Sequence, residues 1–497
     1  MICYNNSVLK LYNFLSRKVE GFKSSDETVG LYTCGPTVYD YVHIGNWRTF
    51  VFEDVLKRTL LFDGYKVKHV MNLTDIDDKI IKGARDKGIG IGELTKKYTD
   101  AFFVDLEKLN ILKADVYPKA TSHISSIVQT IELLIGKKFA YVRDGSVYFA
   151  ISKFKDYGKL SGANVKGVKA GARVDVDEYD KENPSDFALW KKESTDAKSR
   201  NEAFDSPWGV GRPGWHIECS AMSLKYLGDA FDGDTFHPER SRGIDIHTGG
   251  VDLLFPHHEN EIAQSEAASG KKFVNFWLEG EHLLVEGEKM AKRLGNVFTL
   301  SDITRKGYDP LALRYLFLTA HYRSKLNFTW ESLKACQNSL NNLRREVSMW
   351  DALKVGRSDS LGTESSGRTS ESLQTRMSCA EYESDFKKAI NSDLDIPKAV
   401  SLMRKMIKSD YPTHAKHQTL LKMDEVLGLG IASVKKAALP KGAKELISER
   451  EELRKSGKFK EADEIRGRLI KMGVTIEDTK EGSIWKRAHS TNSVQAK

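Results

Sequence analysis

Within Leu254–Gln264, LFPHHENEIAQ, two histidines stand beside two carboxylates in an apolar frame. On a helix, His257 and Glu261 are i and i+4 and share a face. That spacing suits two ligands of one metal ion, and it equally suits an ordinary surface pair. His258, at i, i+3 to Glu261, competes for the same role. Two other segments hold groups able to bind phosphate. HIGN, His43–Asn46, opens a helical pattern. Helix N-termini offer free N–H groups and a positive dipole end. Gly45 lets a nucleotide approach the backbone, and His43 can add a hydrogen bond or a charge. KMAKR, Lys289–Arg293, follows a strand pattern and is flanked by Gly287 and Gly295. A mobile basic loop of this kind can close over a triphosphate and stabilise charge during transfer. Taken singly, each segment reads as well as a capped helix start or a solvated turn.

The elements that must carry these groups are legible in outline. TVGLYTCGPTVYD reads as a strand ending in a Gly-Pro turn. In HIGNWRTFVFEDVLKRTLLFDGY, Phe52, Val55, Leu56 and Leu60 recur at helical spacing, and Asp63-Gly64 ends the helix. VKHVMNLTD reads as a second strand, so this stretch predicts a parallel βαβ unit. FAYVRDGSVYFAI carries a hairpin signal at Asp144-Gly145, inside a block that looks inserted. GIDIHTGGVDLLFPHHENEIAQ predicts a strand, a glycine turn and a helix. Asp75, Asp77 and Asp78 are read as capping and packing residues rather than a magnesium cluster.

The chain has 497 residues, 40% of them hydrophobic, so it can build several cores. Its net charge of +8 weakly favours a polyanionic partner. Five cysteines (Cys3, Cys34, Cys219, Cys336, Cys379) are too few for a disulfide framework in so long a chain, and a reducing cytoplasm is expected. The opening MICYNNSVLKLYNF lacks a basic region ahead of an apolar core, so no secretory leader is expected. No apolar run has membrane-spanning length.

HIGN early and KMAKR late, on a parallel α/β frame, resemble the paired signatures of class I aminoacyl-tRNA synthetases. YTCGPTVYDYVHIGN, NLTDIDDKI, GWHIECSAM, GGVDLLFPHHENEIAQ and HYRSKLNFT resemble the cysteinyl-tRNA synthetase family in order and nearly word for word. The resemblance runs from about Gly30 to Trp485. It implies a Rossmann-type parallel-sheet catalytic domain over 1–308, with a connective subdomain inserted at about 115–205. A stem-contact region and helical anticodon-binding bundle would follow over 309–435, interrupted at Val355–Ser378 by a stretch rich in Ser, Gly and Thr that reads as a flexible insertion. A small mixed anticodon-recognition module and tail would occupy 436–497.

The resemblance also implies one zinc ion on Cys34, Cys219, His257 and Glu261; the residue pattern alone leaves His258 open. It places ATP, arriving with magnesium, at His43, Gly45, Asn46, Lys289 and Lys292. His43 and Lys292 are the expected catalytic residues, and Thr74, Trp215 and His247 the expected neighbours of substrate cysteine. The expected partners are ATP, L-cysteine and tRNA(Cys), without a membrane, and the expected state is a monomer. Zinc would answer the family's selectivity problem. A methylene-scale difference in a pocket is worth only ~1–3 kcal/mol, whereas zinc prefers thiolate to hydroxyl. Two departures stand out. The first signature ends in Asn46 rather than histidine, and the loop lacks both serines of the family's KMSKS. The rival readings are a mycothiol-type cysteine ligase, which lacks the anticodon module, and a non-catalytic tRNA-binding paralogue, which should have lost the ligands or the loop.

Overall fold

The computed structural model describes residues 8–162, 186–350, 378–435, 440–479 and 482–487. The serine-rich stretch expected as an insertion lies outside them up to residue 377, as does the side chain of Lys292. The described chain forms two compact units, one of residues 1–334 with 387–400 and one of 335–386 with 401–497.

The first unit opens with a hairpin, β1 (Lys10–Asn13) and β2 (Lys18–Gly21). Then comes the expected βαβ unit: β3 (Thr28–Thr33), α1 (Ile44–Phe62) and β4 (Lys66–Met71). α1 is buried nearly all round, since Trp47, Val51, Val55, Leu56 and Leu60 alternate with buried polar Arg48, Glu53 and Asp54. Gly64, at φ 90°, reverses the chain after it. α2 (Asp78–Lys87) and α3 (Ile91–Lys108) form a helical hairpin that begins just past the end of β4. Asp77 caps α2, accepting from the N–H groups of Lys79 and Ile80. Asp75 accepts from Thr121, and Asp78 pairs with Arg212, so all three aspartates do the structural work expected of them.

After α4 (Ile124–Gly136) an antiparallel sheet, in the order β5 (Ala140–Arg143), β6 (Ser146–Phe149), β7 (Phe187–Lys192) and β8 (Gly211–Pro213), forms the inserted layer. Asp144 and Gly145 both take positive φ in the β5–β6 turn, as that hairpin requires. α5 (Thr195–Ser199) lies between β7 and β8, and after β8 the chain returns through α6 (Trp215–Tyr226), the short pair β9 (Phe231–Asp232) and β10 (Thr235–Phe236), and β11 (Ile244–Gly250). α7 (Glu259–Ser269) and β12 (Val274–Gly280) complete the central layer.

β12, β11, β3 and β4 lie side by side in that order, all parallel. Every residue of β11 is buried, as a strand covered on both faces must be. The chain runs outward from β3 to β4 on one side and from β11 to β12 on the other. The crevice between β3 and β11 is therefore the switch point, where open parallel sheets bind ligands beyond their strand ends.

β13 (Leu283–Val285), β14 (Glu288–Lys289), α8 (Leu300–Arg305), α9 (Pro310–Phe317) and β15 (Leu326–Phe328) finish this unit, with α10 (Trp330–Met349) leaving it. The unit extends through Lys334, past the boundary expected at 308. The reason is Arg314 on α9, fully buried, whose guanidinium meets Asp54 of α1 at 2.6 Å and the carbonyls of Leu109 and Asn110. The second unit is helical, and ends in the helices Ala443–Lys455 and Phe459–Lys471 followed by an antiparallel hairpin, Val474–Thr479 with Gly482–Arg487. Leu446, Ile447, Ile465, Leu469 and Val474 form that hairpin's core with the two helices. No helix among the described residues is long and apolar enough to cross a membrane.

Arg314→Ala leaves Asp54 buried with Arg58 as its remaining cation. Its expected cost is about 3 kcal/mol, the scale of a broken buried ion pair, read as a lowered urea midpoint of the first unit's transition. A loss below about 1 kcal/mol would show that α9 is not held through this pair.

Candidate metal centre and nucleotide cleft

Three chain segments meet at the switch point. Cys34 follows β3, and its N–H donates to the carbonyl of Thr248 on β11 at 3.1 Å. Cys219 lies on the buried face of α6. His257 closes a single turn, Leu254–His258, that leads into α7, and Glu261 is in the first turn of α7. The i, i+4 relation is realised: His257 Nε2 lies 2.9 Å from Glu261 Oε1. Ligand atoms of Cys34, Cys219, His257 and Glu261 all fall within 4.8 Å of one another, and all four residues are buried. Tetrahedral zinc, with bonds of about 2.0–2.3 Å, needs its ligands about 3.3–3.8 Å apart. Cys34 Sγ and Glu261 Oε1 are already 3.9 Å apart. The donor set fits zinc in chemistry and in spacing.

His258 is a real competitor, since Cys34, His247, His258 and Glu261 form a second such group. Its Nε2 is 3.5 Å from Cys34 Sγ, and its Nδ1 is 2.6 Å from Glu279 Oε1. The first set contains both thiols and the second only one. Two thiolates make the stronger zinc site, which favours His257. Around the first set lie residues that orient it. His216 Nδ1 is 2.8 Å from His257 Nδ1, and His247 Nε2 is 3.0 Å from Glu261 Oε2. Sequence reasoning missed His216 and Glu279. For His216 the signal was present in GWHIECSAM, where it stands i, i+3 to Cys219.

Burial and mutual charge polarise the cluster. Cys219 is brought down to about 6, chiefly by hydrogen bonding from Cys34. Cys34 itself is pushed well up by burial and by the neighbouring Cys219. Burial opposes a charge on His257, yet Glu261 and Cys219 raise it to about 10. Glu261 is held low against burial by His247 and His257. Burial brings His258 down to about 3. The charged forms of Cys219, His257 and Glu261 thus favour one another inside the protein, and a divalent cation on the same donors would replace the proton of His257.

The three residues expected near substrate cysteine border this cluster. The Trp215 ring lies 4.3 Å from that of His257. Thr74 donates to Glu218, the neighbour of Cys219, at 3.2 Å. His247 stacks on Trp277 at 4.4 Å.

HIGN and KMAKR, far apart in sequence, are also brought together. The Ile44 N–H donates to the carbonyl of Phe298 at 2.8 Å, tying the start of α1 to the segment after the basic loop. A Cβ on Gly45 would overlap Met290 Cε, so the loop lies directly over the helix start. His43 is the N-cap of α1, and its Nδ1 accepts from the Asn46 N–H at 3.3 Å. Lys289 is exposed, and Lys292 opens a short turn, Lys292–Leu294. Asn296, not singled out in the sequence, holds the loop: it accepts from the Ala291 N–H at 2.8 Å and donates to the carbonyl of Lys289.

Residues 22–338 match the family described as tRNA synthetases class I (C) catalytic domain, and 436–485 match the cysteinyl-tRNA ligase anticodon binding domain. The chain belongs to the cysteinyl-tRNA ligase family. The cysteine–tRNA ligase of Chlamydia muridarum (strain MoPn / Nigg) is 45% identical over 485 residues, covering 95% of this chain and 98% of its own. That of Brachyspira hyodysenteriae (strain ATCC 49526 / WA1) is 43% identical, covering 96% and 98%. Among solved structures, Mycobacterium tuberculosis methionyl-tRNA synthetase in complex with methionyl-adenylate superposes with a TM-score of 0.54 at 15% identity, covering 81% of this chain and 90% of its own. At that identity the likeness concerns the fold alone. The protein is therefore a class I aminoacyl-tRNA synthetase. The anticodon-domain match sets aside the mycothiol-type ligase, which lacks that module.

Gly35, just past Cys34 beyond the end of β3, has no room for a side chain: a Cβ there would overlap the carbonyl oxygen of Asn72. No rotamer change relieves a clash with backbone. Gly35→Ala should therefore spread the ends of β3 and β4 and destabilise by about 2–4 kcal/mol. A melting temperature equal to that of the parent would show that the strand ends adapt freely.

Proposed function

We propose that the protein joins L-cysteine to tRNA(Cys) in two ATP-driven steps, with one zinc ion per chain on Cys34, Cys219, His257 and Glu261. The observation that supports this reading best is the buried four-donor cluster bordered by Trp215, Thr74 and His247. All four donors come from one chain, which fits a monomer, and the four described cysteines are free, which fits the reducing cytoplasm. Zinc, when bound, prefers the softer sulfur of cysteine to the oxygen of serine.

The protein's own groups do the rest. Trp215 and His247 wall the substrate side chain beside the cluster, and Thr74 fixes its near end. His216 and His247 hold His257 and Glu261 in place through their free ring nitrogens, as supporting residues of metal sites do. In the first step a carboxylate oxygen of cysteine attacks the α-phosphorus of magnesium-bound ATP. The bond to the β,γ-phosphates breaks, giving cysteinyl-adenylate and pyrophosphate. Gly45 and Asn46 bring the nucleotide against the start of α1, where the dipole favours phosphate. His43 contacts phosphate oxygens, and Lys292, with Lys289 beside it, neutralises the charge that develops as the bond breaks. In the second step the terminal ribose hydroxyl of tRNA(Cys) attacks the acyl carbon, loses its proton, and releases AMP.

Two experiments test these assignments. The purified protein should carry one zinc per chain by elemental analysis. His257→Ala should lower that content and raise the cysteine KM at least tenfold, whereas His258→Ala should change both by less. Equal losses in the two variants would mean that the second donor group is the site. Lys292→Ala should slow adenylate formation by about 10²–10³-fold in single-turnover kinetics while leaving cysteine affinity nearly intact. An unchanged chemical rate with weaker ATP binding would refute the role given to this lysine.

A further inference from the structure

Tyr41 has no part in the chemistry above, yet it sits two residues before the cap of α1 and keeps 48% of its surface exposed. Its ring is braced edge-on by Tyr98 of α3, with centroids 5.1 Å apart at 90°. Lys97 Nζ lies 6.0 Å from the Tyr41 ring and 5.4 Å from the Tyr98 ring. Lys87 Nζ donates to Tyr98 Oη at 3.0 Å, and Lys79 stands 5.7 Å over the ring of Tyr39. Lys97 forms no ion pair among the described residues. The result is an open aromatic surface bordered by ammonium groups, of which Lys87 also feels the carboxylates of Asp40 and Asp86. It belongs to the loop between β3 and α1 and to the α2–α3 hairpin that follows β4. Both leave the sheet at its ligand-binding edge, so the surface flanks the mouth of the cleft.

We infer that Tyr41, with Lys87 and Lys97, receives the single-stranded 3′ end of the tRNA as it enters the active site. The inference rests on the ligase reading, which requires the terminal ribose to reach the adenylate past this mouth. The chemistry fits unpaired nucleotides. Every base has a π-face that stacks on an exposed aromatic ring whatever its sequence, and lysines beside the ring follow the phosphates. Tyr98 contributes rigidity: it fixes the Tyr41 ring before RNA arrives, so less ordering entropy is lost on binding.

Tyr41→Ala tests this directly, with an unmodified tRNA(Cys) transcript and the same transcript lacking its last four nucleotides. Cysteine-dependent ATP–pyrophosphate exchange should stay within twofold of the parent. The kcat/KM for tRNA should fall about tenfold, the size of one lost base–aromatic stack. Tyr41→Trp should restore it. Binding of the shortened transcript should not respond to Tyr41→Ala. Lys97→Gln should weaken binding of the full transcript and reduce its salt dependence. Unchanged charging by Tyr41→Ala would overturn the inference, as would equal weakening of both transcripts or a parallel fall in exchange. Absence of cysteine-dependent exchange in the parent would instead refute the ligase reading, and the two transcripts' binding would still report on this surface.

Discussion

Two thiols, an imidazole and a carboxylate in one buried volume cannot all keep their solution charges unless each charge finds an opposite within reach. That constraint organises the first unit. Glu261 is at 0% exposure and His257 at 1%, and each is satisfied by groups that the sheet delivers. β11 brings His247 to Glu261, α6 brings His216 to His257, and β12 brings Glu279 to His258. Around the expected ligands, buried polar residues thus hold one another. Trp277, Trp215 and Phe273 close the cluster from water. The low local dielectric then strengthens every remaining interaction.

The same constraint explains what could be read in the sequence. The ligand types are rare together, and LFPHHENEIAQ places two of them at helical spacing, so the cluster was visible as a motif before its geometry was known. The βαβ unit was visible too, because α1 and its flanking strands carry long apolar runs between clear stops. Which histidine faces the thiols was not legible, since i, i+3 and i, i+4 share one helix face. Backbone conformation sets where each ring points: Phe255 is extended, the helix proper begins only at Glu259, and both histidines end up beside the thiols. Of the supporting partners, Glu279 was out of reach, and His216 was hinted at only by its spacing to Cys219. His216 and Glu279 act across the fold, and no local periodicity encodes a contact between α6 and the turn before α7. Asn296 escaped for a different reason. A loop anchor bonds to backbone, which leaves no side-chain partner in the sequence to suggest it. The tie of α9 to the first unit was not legible either, because a helix that looks like the start of a new domain carries Arg314, and a buried guanidinium belongs wherever its carboxylate is.

The two departures from the family's signatures have a physical resolution in the loop and helix start themselves. At position 46 the contact seen is the backbone N–H, capped by His43. The side chain of Asn46 is not needed to start α1, so the cap tolerates the change from histidine. In KMAKR, the first missing serine is Ala291, and the loop is fixed there by its backbone N–H on Asn296 Oδ1. Asn296 also reaches back to the carbonyl of Lys289, so one amide spans the loop from both sides. Gly45 completes the arrangement from below, because without a Cβ it lets the end of the Met290 side chain rest against the helix start. The shape of the loop therefore comes from backbone hydrogen bonds and one close approach, and neither depends on a hydroxyl. The role proposed for the loop needs its positive charge, and Arg293 in place of the last serine adds to that charge rather than removing it.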